Sequence, residues 1–252
     1  MIGQGSHLIS IGIWHWDLEG AVATKNSIPR LLIRVFRWLF WTGFILGCAA
    51  LALIALWSAA PPVSTLMAAR YVTFRPVERL WTPLTRLSPH LLASIIASED
   101  GQFCRHRGVD WGALREVIAD ADSDGPARGA STISMQTAKN LFLWPGRSAL
   151  RKGLEIPFAM AIDRLWGKKR IIEVYLNIAE WGDGIFGAEA AARRYFRKSA
   201  PELTPREAAL LVSALPNPFR RDPSMPGAIQ NRVTGVIMRR AARAGPWGDC
   251  VK

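Results

Sequence analysis

Cysteine and histidine are both scarce in this sequence, with three cysteines and four histidines among 252 residues. Cys48, Cys104 and Cys250 lie far apart, and none of them has a neighbour at the spacing of a metal ligand. The pattern therefore indicates neither a disulfide framework nor a zinc site. The four histidines are scattered as well, which excludes a multi-histidine metal centre.

Long runs of like charge are also missing, although 32 lysines and arginines against 20 acidic residues give a formal charge of +12. No five consecutive residues carry the same charge, so a solvated basic tail is excluded. No helix-turn-helix, zinc finger or aromatic-rich RNA motif accompanies the charge, and we expect no nucleic-acid partner. The positive excess suits an anionic membrane surface or an anionic ligand, with a solvated basic surface as the alternative.

One stretch contains no charge at all, from the residue after Arg37 to the residue before Arg70. Within it, residues 38–60 form an apolar segment that would be about 34 Å long as a helix, enough to cross a bilayer. Tryptophans near both ends suit the headgroup level of the membrane. The pattern predicts a single transmembrane signal-anchor helix over residues 38–60.

Basic residues are concentrated just before this segment: Lys25, Arg30, Arg34 and Arg37. By the positive-inside tendency, residues 1–37 are predicted to be a cytoplasmic tail and the chain after residue 60 to be exported. Two alternatives remain open. Small residues before Pro61 would also suit a cleaved signal peptide, and an apolar segment can be a buried core helix.

After Pro61 the hydrophobic spacing is mostly helical, and strand-like alternation is scarce. Ser88 is a predicted N-cap that opens a helix ending at Glu99, which falls on the apolar face of that helix. Ser131 or Thr132 opens another helix. The segment 204–207 has the form of a capping box with proline at the first helical position.

Two carboxylates are candidates for chemistry, and each has an ordinary structural alternative. Glu99 at the end of an apolar helix face loses hydration, which suits a general base, but it could equally pair with Arg105 or Arg107. Glu155 is aligned with Arg151 at a spacing of four, which could be a surface ion pair. The hydroxyl residues near position 131 suit phosphate binding at a helix N-terminus, or simple capping.

Five motifs occur in a fixed order along the chain. Residues 99–108 follow the pattern Glu-Asp-x-x-Phe-x-x-His-x-Gly, and residues 129–136 follow Gly-x-Ser-Thr-Ile-(Thr/Ser)-x-Gln. Residues 151–155 follow Arg-Lys-x-x-Glu, residues 168–177 follow Lys-x-x-Ile-x-Glu-x-Tyr-Leu-Asn, and residues 208–218 form the last block. Together these motifs resemble the glycosyltransferase domain of peptidoglycan polymerases in its monofunctional form, glycosyltransferase family 51. One departure is Met135, where many members carry glutamine.

The resemblance implies a mainly α, lysozyme-like, two-lobed helical glycosyltransferase domain with one N-terminal transmembrane helix. We assign this domain to residues 86–245, with a membrane-proximal linker over 61–85 and a C-terminal tail over 246–252. The Ser-x-x-Lys and Lys-Thr-Gly marks of a transpeptidase do not occur in the sequence. The implied function is polymerisation of lipid II into β-1,4-linked glycan in cell wall biosynthesis, with release of polyprenyl diphosphate. A membrane-anchored, lysozyme-like glycan hydrolase is the alternative.

The resemblance also implies site residues. Glu99 would be the catalytic base of an inverting transfer, and Glu155 a second catalytic carboxylate that orients cations or holds a divalent ion. The implied substrate-binding residues are Asp100, Phe103, His106, Gly129, Ser131, Thr132, Gln136, Lys139, Asn140, Arg147, Arg151, Lys152, Lys168, Glu173, Asn177 and Arg232.

No tightly bound cofactor is expected, with Mg or Mn as the open alternative for a divalent cation. The expected partners are lipid II, the growing glycan chain and membrane lipid, and other cell-wall synthases remain an open choice. The expected location is the inner membrane, crossed once, with the N-terminus in the cytoplasm and the catalytic domain in the periplasm.

Overall fold

The structure is a computed structural model that describes residues 27–119, 129–146, 148–243 and 245–251. The chain divides after Ala49 into two compact units. The described part of the first unit belongs to helix α1 (Ser27–Trp57), whose last residues lie in the second unit. From Arg30 to Trp57 this helix is long and apolar enough to cross a membrane. The helix begins eleven residues before the predicted span and ends three residues before its predicted end.

The second unit is mainly helical, as the sequence predicts. Its helices are α2 (Thr65–Val72), α3 (Pro89–Glu99), α4 (Trp111–Ala119), α5 (Ile133–Phe142), α6 (Ala149–Leu165), α7 (Lys168–Ile178), α8 (Ala188–Phe196), α9 (Pro205–Ala214) and α10 (Ala228–Ala242). Three short strands, β1 (Glu78–Arg79), β2 (Glu180–Gly182) and β3 (Ile185–Phe186), form a sheet in the order β1-β3-β2. The pair β1 and β3 is parallel, and β2 and β3 are antiparallel.

The helices of this unit fall into two groups, in agreement with the two-lobed expectation. Helices α3, α9 and α10 pack on one another, and α5 packs on both α6 and α7. Helix α7 is buried along most of its length, since Ile171, Ile172 and Val174 to Ile178 are all inaccessible. The segment that leaves α3 after Glu99 reaches the start of α5, so the two groups meet next to this carboxylate.

The predicted linker over residues 61–85 is structured rather than loose. It contains α2, β1 and the start of a short 3₁₀ helix at Leu84–Arg86. Thr65 donates a side-chain hydrogen bond to the carbonyl of Leu143 at 2.8 Å. Sequence reading missed this packing because the segment has no long periodic run, and its partners lie far along the chain.

The expectation of no disulfide was wrong. Cys104 and Cys250 form a disulfide across a sequence separation of 146 residues, while Cys48 is free and exposed. The predicted C-terminal tail, in its described part, is a 3₁₀ helix over Gly245–Val251 that packs on α3 and α7. Cysteines so distant in sequence are brought together only by the tertiary fold, so their spacing contained no signal.

Candidate active site

Glu99 is the last residue of α3 and lies half-buried at the side of α5. Its carboxylate accepts hydrogen bonds from the Ser98 hydroxyl at 3.2 Å and from the Gln136 amide at 3.0 Å. Arg105, one of its suggested ion-pair partners, instead donates to Gln102. The described hydrogen-bond partners of Glu99 are therefore neutral.

The segment after Glu99 is held rigidly by Asp100 and Thr132. The Asp100 carboxylate contacts His106 Nε2 at 2.9 Å and accepts a hydrogen bond from the backbone N–H of Ile133 at 2.9 Å. Thr132 caps α5 and donates its hydroxyl hydrogen to the carbonyl of Gly108 at 2.6 Å. These bonds fix the distance between the end of α3 and the start of α5.

Gly108 explains the last position of the first motif. Its φ is +88°, and a Cβ there would lie 2.6 Å from the carbonyl oxygen of Ala159 in α6. No other residue type fits this close approach without moving the backbone. The glycine thus allows the segment after Glu99 to pack directly on α6.

A pocket of about 330 Å³ opens beside Glu99, which is large enough for a sugar-sized ligand. Gly129, Ser131 and Thr132 line one side of it and Arg240 of α10 another. Arg240 is the one cationic side chain among the described residues lining this pocket. Sequence reasoning missed Arg240, although it lies eight residues after the predicted Arg232, on a similar face of the same helix.

A cluster of cations surrounds the buried carboxylate of Glu155, which is 3% exposed. Arg151 forms an ion pair with one carboxylate oxygen, and Lys152 Nζ lies 2.7 Å from the other. Lys152 also donates to the Ser131 hydroxyl at 2.7 Å, which connects the cluster to the start of α5. The basic stretch is therefore an organised charge cluster and not a loose surface pair.

Lys139 on α5 completes this cluster. Burial lowers the pKa of Lys139 below its usual 10.5, and the cations Arg151 and Lys152 act in the same direction, whereas the negative charges of Glu155 and Glu99 oppose the shift. Lys139 therefore lies within electrostatic reach of both predicted catalytic carboxylates. Its charge is poorly hydrated and available to an anion.

A second pocket opens at the far end of α5 from Glu99. It is lined by Lys139, Asn140 and Arg151 together with Thr65, Leu66 and residues 143–146. The two pockets thus flank one helix, α5. Carboxylates dominate the pocket at its start, and cations dominate the pocket at its end.

Several predicted substrate-binding residues are turned into the protein instead. Phe103 is fully buried beneath Lys168, whose ammonium lies 4.7 Å from the ring centre and pairs with Asp163. Asn177 is buried and bonds both the N–H and the carbonyl of Thr82. In the structure Phe103 and Asn177 lie inside the protein and support the site through internal contacts, so their contact with a ligand stays a prediction.

Four further positions complete the comparison with the sequence. Glu173 pairs with Arg170 and accepts from the N–H of Leu84, which is again a supporting role. Met135 is fully buried in the core, so the presence of methionine where many members carry glutamine removes no contact at the surface of the site. Arg232 is exposed on α10, and Arg147 lies outside the described residues.

The contacts of Glu155 also bear on the divalent cation considered above. Both of its oxygens are already engaged by Arg151 and Lys152, and positive neighbours oppose a metal ion. Within the described ranges, no three His, Cys, Asp or Glu side chains are grouped closely enough to hold a metal. The donor set at Glu155 therefore fits the orienting role and does not fit a metal site.

Comparison with known proteins identifies a family for this chain. The family model described as Transglycosylase matches residues 67–241. A biosynthetic peptidoglycan transglycosylase of Brucella suis is 54% identical over 191 residues, which are 76% of this chain and 85% of its own length. A protein of the same name from Agrobacterium fabrum is 55% identical over 190 residues, which are 75% of this chain and 84% of its own length. Another from Rhodospirillum centenum is 52% identical over 218 residues, which are 86% of this chain and 93% of its own length.

These matches confirm the resemblance seen in the motifs and the lysozyme-like helical fold expected from it. The matched region begins within α2 and ends within α10, so it contains the Glu99 pocket, both carboxylates, the cation cluster and the lining of the second pocket except Thr65 and Leu66. The chain belongs to the transglycosylase family of monofunctional peptidoglycan glycosyltransferases.

Proposed function

We propose that this protein polymerises lipid II into β-1,4-linked glycan strands for the bacterial cell wall and releases polyprenyl diphosphate. The observation that supports this most strongly is the pairing of unlike environments along α5. Glu99 has neutral hydrogen-bond donors at one end, and Lys139 and Arg151 line a cationic pocket at the other. A base and an anion-binding site are the two parts that this reaction needs.

In the proposed reaction Glu99 takes the proton from the 4-hydroxyl of the acceptor sugar. The hydroxyl oxygen attacks the anomeric carbon of the donor, whose bond to the diphosphate oxygen breaks. The diphosphate leaves with the bonding electrons, and one direct displacement inverts the configuration of that carbon. A diphosphate needs charge neutralisation rather than protonation, which Lys139, Arg151 and Lys152 supply. Arg147 would add to them.

Glu155 acts in this scheme by holding cations. Its two oxygens orient Arg151 and Lys152 before substrate arrives, which lowers the cost of organising charge during the reaction. Removal of Glu155 would leave two cations free to rotate and repel each other. The carboxylate is thus essential without touching the sugar that reacts.

A glycan hydrolase is the competing function, and the site argues against it. Hydrolysis expels a sugar alkoxide, which needs a protonated acid and a positioned water. Asp100, the carboxylate next to Glu99, is committed to His106 and to the N–H of Ile133. A hydrolase also has no use for a cationic cluster beside its base.

We propose that α1 anchors the protein in the inner membrane with the catalytic unit in the periplasm. The disulfide between Cys104 and Cys250 supports an oxidising compartment, which the cytoplasm is not. Within the second unit, Trp166 Nε1 donates to the carbonyl of Ile54 at 2.7 Å, and Arg170 donates to the carbonyl of Trp57. These bonds join residues 54–57, which belong to the second unit, to the end of α6 and to α7.

Membrane lipid is a further proposed partner at the end of α2. Tyr71, Val72 and Phe74 are exposed there, and Phe74 is 97% exposed. Met67 of the same helix is fully buried. The exposed side chains follow the anchor closely in sequence, so they would meet the same bilayer that carries the polyprenyl tail of the substrate.

The test is a glycan synthesis assay with the purified full-length chain and labelled lipid II in detergent. We expect polymer that a muramidase digests to disaccharide units, no cross-linked peptide and no covalent label from penicillin. Incubation with preformed, uncross-linked glycan serves as the control for the hydrolase. Shortening of that glycan without any synthesis from lipid II would overturn the proposal.

A further inference from the structure

Three helices contribute to a chain of hydrogen bonds that ends on Glu99. The hydroxyl of Tyr175, on α7, donates to Gln136 Oε1 at 3.0 Å. The Nε2 amide of Gln136, on α5, donates to Glu99 Oε2 at 3.0 Å. An ionised carboxylate only accepts hydrogen bonds, so the amide nitrogen must face Glu99 and the amide oxygen must face Tyr175.

The Tyr175 hydroxyl is a permanent donor. The side chain is 1% exposed, and burial raises the pKa of Tyr175 well above its usual value, with the charges of Glu99 and Asp100 adding to the shift. The phenol therefore stays protonated near neutral pH and can donate its hydrogen.

Without that donor, only the Glu99 carboxylate would hold the Gln136 amide in this orientation, and the amide oxygen would lose its partner. A rotation of the amide by about 180° would turn its oxygen toward the carboxylate, and two acceptors would then repel each other. Phenylalanine fills almost the same volume as tyrosine, so packing alone does not require the hydroxyl. The hydroxyl of Tyr175 therefore serves to bond the Gln136 amide oxygen.

We propose that Tyr175 is a positioning residue, whose hydroxyl fixes the Gln136 amide so that Glu99 is held in place and kept ionised until it takes the acceptor proton. The inference rests on the proposed function and deepens it. It also changes the role of Gln136, which the motifs suggested as a substrate-binding residue. Both ends of its amide are used inside the protein.

The prediction of pH dependence depends on the other groups around Glu99. The titratable and charged side chains that share its pocket or act on it through their charge are Asp100, Asp110, Lys139, Tyr175 and Arg240. Replacement of Tyr175 by phenylalanine alters none of the other four. A displaced pH profile would therefore arise through the Gln136 amide.

The experiment measures glycan synthesis by Tyr175→Phe in the full-length chain across a range of pH. We expect kcat to fall about tenfold, because loss of the Tyr175 hydrogen bond weakens the hydrogen bond from Gln136 to the charged carboxylate, with KM changed less than about twofold. The acid limb of the kcat profile should move to higher pH, because the lost donor favoured the ionised carboxylate. Unchanged kcat and an unchanged acid limb would overturn the inference.

Tyr195→Phe is the matched control. The Tyr195 hydroxyl donates to the carbonyl of Trp181 at 3.1 Å and has no contact with Glu99, so this variant should keep the wild-type profile. An equal displacement in both variants would show a general loss of packing and would also overturn the inference.

A second variant covers the case in which Tyr175→Phe does not fold. Gln136→Met removes the donor to Glu99 directly and should displace the acid limb in the same direction. Where both fold, the double variant should be no slower than Gln136→Met alone, since the two residues act through one contact. Additive losses, or Gln136→Met with a wild-type acid limb, would contradict the proposal. If the wild-type chain makes no glycan, the proposed function itself fails, and the two failures are distinguishable.

Discussion

Glu99 and Glu155 carry the same chemical group in opposite surroundings. Glu99 is half-buried and accepts from a serine hydroxyl and a glutamine amide, whereas Glu155 is 3% exposed and accepts from an arginine and a lysine. Neutral donors leave a carboxylate free to take a proton, while paired cations hold it as a counter-ion. The difference supports the proposal that the first transfers a proton and the second organises charge.

The largest effect is expected from Glu99→Gln, which removes the base and keeps the shape. Loss of a general base typically costs about 10²–10⁴ in rate, and we expect kcat to fall by about 10³. The Gln136 amide can still donate to the new side-chain oxygen, so the melting temperature should change little. Rates with labelled lipid II and thermal unfolding check both parts. A Glu99→Gln variant that keeps more than a tenth of the wild-type kcat would contradict the role of Glu99 as the base.

Glu155→Gln should lower activity and stability together, unlike the previous variant. It leaves Arg151 and Lys152 close to each other without their counter-ion, and we expect the free energy of unfolding to fall by roughly 2–4 kcal/mol. Activity should fall by about 10² because the cations lose their orientation. Denaturant unfolding and the synthesis assay measure the two losses.

Glu116→Gln, at an exposed position on α4, is the control for Glu155→Gln and should change neither quantity. If the Glu155→Gln variant kept the wild-type free energy of unfolding, the ion pairs of Glu155 with Arg151 and Lys152 would not stabilise the fold.

Substitution of Lys139 tests the role of the cation cluster in binding the anionic substrate. Lys139→Met should lower kcat/KM by roughly 10²-fold, since a poorly hydrated cation facing an anionic substrate is lost. Because the pKa of Lys139 is lowered, its positive charge disappears at a lower pH than that of an ordinary lysine. In the wild type, KM should therefore rise as the pH increases toward 10.5. Lys139→Arg, which stays charged, should abolish that rise, and its persistence in this variant would contradict the assignment.

Arg240 should give the smallest effect, because its side chain is exposed and screened by solvent. We expect Arg240→Ala to raise KM for lipid II roughly two- to fivefold at low salt, with the difference shrinking as the ionic strength increases. Arg239→Ala, an exposed neighbour outside the pocket, is the matched control. If both variants raised KM equally, Arg240 would contribute only through the overall positive charge of the protein and not through its place in the pocket.

Local sequence signals account for much of what the structure contains. Ser88, Thr132 and Thr204 all cap helices as their positions suggest, and Glu99 lies at the end of α3 as predicted. These features depend on residues within one or two turns of each other, which a single sequence displays directly.

Long-range contacts could not be predicted in the same way. The disulfide of Cys104, the contact of Tyr175 with Gln136 and the approach of Arg240 to the Glu99 pocket all join residues distant in the chain. The motif also did not distinguish residues that face a ligand from those beneath them. Phe103 and Asn177 carry motif positions, yet burial and internal contacts assign them to support.

The most direct test of the central claim is the pH dependence of single-turnover glycan formation by the wild type, Glu99→Gln and Glu155→Gln. We expect the wild type and Glu155→Gln to lose rate as the pH falls, because both retain the carboxylate that must be ionised to accept a proton. The residual rate of Glu99→Gln should show no such limb. An acid limb that survives in Glu99→Gln and vanishes in Glu155→Gln would exchange the two roles and contradict the account.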